Sequence, residues 1–172
     1  MANQTNQPTP RPLFLYGTLR ALQLLACVLT SDPEELDQIR PLIQPAILRG
    51  YSCVSIVGKE FPALVVVSDD TNEKSLVHVD GLLLRPQTDL QRRKIHDFMG
   101  SAFKVIKVEP LVILKKKEHG VQIEEKVKVD ADVYLWNGHL ELVKGKPWSF
   151  TRFERENLAG WLEIYSGMTF ST

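Results

Sequence analysis

An α+β fold, with a mixed and partly closed sheet or small barrel flanked by short helices, is predicted by three features of this sequence. The centre, from Ala46 to Trp136, is dominated by apolar and alternating runs of strand length. Helical patterns are short and irregularly placed, so no regular strand–helix–strand alternation accumulates. No dinucleotide or Walker glycine pattern is present, which argues against a Rossmann-type arrangement. The 172 residues suffice for one domain with a substantial core. The reading is a disordered tail over residues 1–12 and a single domain over 13–172.

Leu13 to Tyr16 reads as a short apolar strand that stops at Gly17 and runs into a helix opened by Thr18. Gly17 lacks a Cβ and can turn sharply beside a ligand. Thr18 is a favourable N-cap, and the N–H groups after it can hold a carboxylate or carbonyl oxygen. The helix from Thr18 to Leu29 places Leu22, Leu25, Ala26 and Leu29 on one face. Ser31-Asp32-Pro33-Glu34-Glu35 predicts a second helix start, with Leu36 and Ile39 turned inward and an end before Pro41. Ala46–Val57 and Phe61–Val67 form a hairpin about Gly58-Lys59-Glu60. A polar loop over Ser68–Ser75 leads to a strand at Leu76–Leu84. Thr88-Asp89-Leu90-Gln91 is a capping box opening a short helix that ends at Gly100. Two long strand runs follow, Phe103–Leu114 and Val121–Trp136, joined by a charged, glycine-containing turn. Thr151-Arg152-Phe153-Glu154 is a second capping box, starting a final helix to Tyr165.

Composition narrows the function classes. The formal net charge is zero, so no broad basic face points to nucleic acid or an anionic membrane. Lys115-Lys116-Lys117 reads as a solvated strand end. The first ten residues lack an apolar signal-peptide core, and a cytoplasmic protein is expected. Cys27 and Cys53 have no metal-type spacing and read as buried thiols of a reduced compartment. His78, His96, His119 and His139 are scattered without ligand spacing, so neither a metal nor another cofactor is expected. The expected partner is a small molecule, and no feature specifies an oligomeric state.

Several segments together resemble one family. Leu15-Tyr16-Gly17-Thr18-Leu19 is similar to the YGTL or YGSL loop of the γ-glutamylcyclotransferase-like (AIG2-like) proteins. Phe61-Pro62-Ala63-Leu64 resembles their YPAL element, and Asp80-Gly81-Leu82-Leu83 their V-x-G strand. Ile95-His96-Asp97-Phe98-Met99-Gly100 resembles the L-D-x-F-E-G segment, with Phe103 at the following aromatic position. Asp132-Val133-Tyr134-Leu135-Trp136 is similar to the late A-x-V-Y-x-W strand. Trp148-Ser149-Phe150, with Phe153 and Trp161, resembles the C-terminal helix of the fungal branch.

The resemblance implies a small mixed barrel with a cavity at one end. In active members that cavity holds a γ-glutamyl group, whose own amine attacks the γ-carbonyl to leave 5-oxoproline. It implies substrate-binding roles for Tyr16, Gly17, Thr18, Leu19, Phe61, Phe103 and Tyr134. A glutamate is the family's general acid/base, and here that position is Met99. A thioether neither takes nor returns a proton at neutral pH, and loss of a positioned base costs about 10²–10⁴ in rate. His96, three positions earlier on the same helix, is the candidate replacement, since its ordinary pKa of about 6.5 suits proton transfer. Asp97 lies about 200° around that helix from Met99. Glu60 precedes the Phe61-Pro62-Ala63-Leu64 element, where it can lean over the cavity mouth or simply be solvated. The resulting expectation is altered chemistry, such as a secondary-metabolite cyclisation or isomerisation, with a non-catalytic binding or interaction protein on the same scaffold and a residual γ-glutamylcyclotransferase as the alternatives.

Overall fold

Strand β1 (Leu13–Leu15) is buried on both faces and forms the axis of the molecule. Leu13 and Leu15 turn to one side while Phe14 and the following Tyr16 turn to the other, following the two-residue period of a strand. The computed structural model describes residues 8–67 and 76–171; the loop read at Ser68–Ser75 lies outside them.

β1 is the third strand of a seven-stranded sheet. Its order is β6 (Phe103–Val108), β9 (Ala131–Trp136), β1, β5 (His78–Leu84), β2 (Ile43–Arg49), β7 (Leu111–Glu118) and β8 (Val121–Lys128). Neighbours run antiparallel except β1 and β9, which are parallel. A second sheet, β10 (Val143–Pro147), β3 (Tyr51–Ile56) and β4 (Pro62–Val66), packs on the Phe14 side through Leu64, Cys53 and Tyr51. Helices α1 (Leu22–Thr30), α2 (Leu36–Ile39), α3 (Asp89–Met99), α4 (Phe150–Glu156) and α5 (Leu158–Tyr165) cover the Leu13 side. There Leu25, Ile95 and Phe153 pack with Leu84 and Tyr134.

The class is the predicted α+β, but the large sheet does not close into a barrel: β6 and β8 are its two edges. Every residue of β8 is exposed, and Glu124, Glu125, Lys126 and Lys128 blunt an otherwise sticky edge. The Ala46–Val57 run is two strands in different sheets, because Gly50 (φ 82°) turns the chain between β2 and β3. The two long runs after Phe103 are four strands. Pro110, which has no N–H for a ladder, separates β6 from β7, and β8 ends before Asp130. The β7–β8 turn uses His119 and Gly120, both at positive φ as a tight hairpin turn requires.

Local capping explains the helical differences. Gly17–Arg20 forms a single 3₁₀ turn, and α1 starts only after Ala21 leaves helical geometry. Thr18 therefore lies inside that turn, and Tyr16 holds the cap position. Ser31, at φ 66°, ends α1. The Asp32 carboxylate accepts from the Glu34 N–H at 2.9 Å, a local turn that competes with helix, so α2 is reduced to one turn. Thr88 caps α3 as predicted, accepting from the Gln91 N–H at 3.2 Å. The last helix begins earlier than Thr151, with Ser149 accepting from the Arg152 N–H, and it divides at Asn157 into α4 and α5.

Candidate functional site

A cavity of about 160 Å³ opens where β1 ends. Four further elements converge there: the start of β4, the C-terminal end of α3, the start of β6 and one face of α5. The wall begins with Tyr16 and Thr18, both nearly buried. Between them Gly17 sits at φ +63°, and a Cβ there would lie 2.6 Å from Pro62 Cγ. The glycine thus lets the end of β1 close onto the start of β4, where Phe61 and Pro62 form the adjoining wall.

Helix α3 contributes Phe98 and Met99 from its last turn, and β6 contributes Phe103. Trp161 and Tyr165, four apart and so on one face of α5, complete the enclosure. The rings brace one another. Phe61 and Trp161 meet edge-on at 6.5 Å between centroids, and Phe98 meets Tyr165 edge-on at 5.5 Å. Phe153, 2% exposed, supports Trp161 from behind at 5.3 Å and 88°. After α5 the chain folds back, setting Phe170 edge-on to Phe98 and placing the Ser171 hydroxyl on the Asp97 carboxylate.

Tyr16, Thr18, Phe61, Met99 and Phe103 are thus brought together from the expected set. Leu19 is instead a core residue, and Tyr134 takes part through its carbonyl, which accepts from the Tyr16 hydroxyl. Burial drives the Tyr16 phenol well above its ordinary pKa, with Cys53 raising it further, so it is a neutral donor. His96 is exposed and lies outside the lining; its Nδ1 is 3.2 Å from the Tyr134 hydroxyl. Pro62, Phe98, Trp161 and Tyr165 are lining residues that the sequence reading did not assign. The four-residue spacing of Trp161 and Tyr165 was the available signal. Glu60 stands behind this wall. Its carboxylate accepts from the Trp161 indole N–H, and its carbonyl accepts from Trp148 Nε1 at 2.8 Å.

Chemically the lining is apolar, with three hydroxyls (Tyr16, Thr18 and Tyr165) and a thioether. Among the described residues, no Lys, Arg, His, Asp or Glu lines it. Nor do three or more His, Cys, Asp or Glu side chains among them gather as metal ligands. Cys53 lies nearby, but burial pushes its thiol up to about 12, with Arg20 opposing only in part, so it is no thiolate nucleophile. Burial and then Asp32 likewise raise Cys27.

Among the described residues no helix is long and apolar enough to cross a membrane. A family model described as Gamma-glutamyl cyclotransferase, AIG2-like, matches residues 13–150. Two solution structures from Arabidopsis thaliana share the fold. At3g28950.1 superposes with a TM-score of 0.56 at 18% identity, covering 92% of this chain and 81% of that one. At5g39720.1 gives 0.54 at 17% identity, covering 90% and 87%. No curated protein matches the sequence.

Proposed function

The chain belongs to the gamma-glutamyl cyclotransferase, AIG2-like family, and on that premise we propose that it applies a cyclotransferase-like cavity to chemistry other than 5-oxoproline formation. In this reading Met99 occupies the place of the family's catalytic glutamate, and the substrate is a small, largely apolar molecule that is cyclised or isomerised. The observation that carries it is the lining itself, where a thioether and aromatic rings stand at the end of β1 and no titratable carboxylate or imidazole joins them.

Formation of 5-oxoproline needs a base, because an ammonium cannot attack a carbonyl until it loses a proton. A cavity without one can still accelerate a unimolecular step by holding its substrate in a reactive conformation. The Tyr16 hydroxyl is committed to the Tyr134 carbonyl, which leaves the Thr18 and Tyr165 hydroxyls and backbone amides as polar anchors. The protein belongs, on this reading, to the fungal branch and to cytoplasmic secondary metabolism, acting on a small molecule and not on nucleic acid or membrane. A second reading, ligand binding without turnover, is favoured by the same uncharged lining.

Incubation of the purified protein with γ-glutamyl amines and peptides tests the proposal by the yield of 5-oxoproline. The wild type is expected to make none, and Met99→Glu to gain a trace. Efficient release by the wild type overturns the reading.

A further inference from the structure

Resting on the reading of the cavity as a ligand site, we propose that its occupant carries a methylated ammonium group, a compact cation with an apolar surface. The walls suit such a group. Phe61 and Trp161 meet at 73°, Phe98 and Trp161 at 60°, and Phe98 and Tyr165 at 66°, so the rings form a box and not a flat stack. A cation in a box of rings is attracted by the negative π faces, most strongly by that of tryptophan. Size agrees: an apolar cavity of about 150 Å³ accepts benzene, and a trimethylammonium group with its first methylene is of similar bulk.

Charge around the box points the same way. The Glu60 carboxylate sits on the Trp161 N–H, and the exposed Asp97 carboxylate accepts from the Ser171 hydroxyl beside Phe170. Among the described residues neither has an ion-pair partner within reach, and Arg152, which shares the outer groove with Glu60, is held by Glu156 at 2.9 Å. A carboxylate on the indole N–H draws that dipole outward and leaves the ring face more negative. An anion would lose its hydration with no cation in the wall to replace it. A primary ammonium would need acceptors for three N–H groups, whereas a trimethylated one has no N–H to satisfy. Trp161 and Tyr165 lie beyond the residues 13–150 that the family model matches, so this selectivity resides in the C-terminal helix.

The test compares choline with its uncharged carbon isostere, 3,3-dimethylbutan-1-ol, by calorimetric titration of the full chain. Choline is expected to bind about tenfold more tightly, the ratio that a desolvated cation–π contact supplies. Trp161→Leu, checked by circular dichroism for folding, is expected to remove that preference while the alcohol still binds. Glu60→Gln, an exposed change that leaves the core intact, is expected to lower the ratio about threefold. Equal or tighter binding of the alcohol overturns the inference and leaves the cavity a ligand site. A preference that survives in both variants also overturns it. Failure of both probes to bind overturns the inference and the reading beneath it together.

Discussion

The two ends of helix α3 are built from opposite chemistry. Near its start, Arg92 reaches Asp132 at 2.7 Å and the Arg11 carbonyl at 2.8 Å, while Arg11 holds the other Asp132 oxygen at 3.0 Å. Near its end, Phe98 and Met99 face rings and no charge. The polar end satisfies a nearly buried carboxylate with two guanidinium groups and so fixes where the helix lies. The apolar end, held in register by that clamp, presents a wall whose chemistry can vary. Rigidity and selectivity are separated by less than three turns of helix.

The largest expected break comes at the apolar end. Phe153→Ala removes a fully buried ring that backs Trp161 and should cost about 3–4 kcal/mol in urea denaturation, with choline affinity lost alongside. Asp132→Ala should cost about 2 kcal/mol, below the range for a fully buried pair because Arg11 is 42% exposed. Choline affinity should stay unchanged, which is the sharpest check that the two ends are independent. Burial alone would raise the Asp132 carboxyl, but the hydrogen bonds and charges of Arg92 and Arg11 outweigh it and hold the group below its ordinary range. Its contribution is therefore complete above the unfolded value of about 3.9 and is lost as pH falls through the lower folded value. An acid titration of stability should show this limb in the wild type and a shallower one in Asp132→Asn. The smallest effect is expected from Thr88→Ala, about 1 kcal/mol for loss of the cap at the polar end.

Local chemistry was legible from the sequence where one segment decided it. The Thr88 cap, the Gly100 stop and the β3–β4 hairpin all follow from neighbouring residues. What depended on distant partners was not. The continuous Ala46–Val57 pattern gives no sign that Gly50 sends its halves to different sheets. An edge and a closed seam present the same alternation, so the sequence leaves a partly closed sheet and a small barrel both open, and only the structure shows β6 and β8 as free edges. Ser149 and Thr151 both carry capping chemistry, and packing of Trp148 and Phe150 against Phe153 and Arg20 selects the earlier one. At the cavity, Tyr16, Thr18 and Met99 sit in segments whose local pattern marks them, whereas Phe98, Trp161 and Tyr165 are brought to the lining by packing alone.

The joint between β1 and β9 has a kinetic consequence. These strands share a single register pair, Leu13 with Asp132, supplemented by the Asp132 N–H to the Pro12 carbonyl at 2.8 Å. Its side-chain clamp joins residues 121 apart in sequence. Closing so long a loop is entropically costly before any contact rewards it, so hairpins such as β7–β8 and β3–β4 should form first and this seam last. Weakening the clamp should then leave the refolding rate almost untouched and appear as faster unfolding. On that order of events, the native lifetime of the protein should respond most to changes at the place where its first strand meets one of its last.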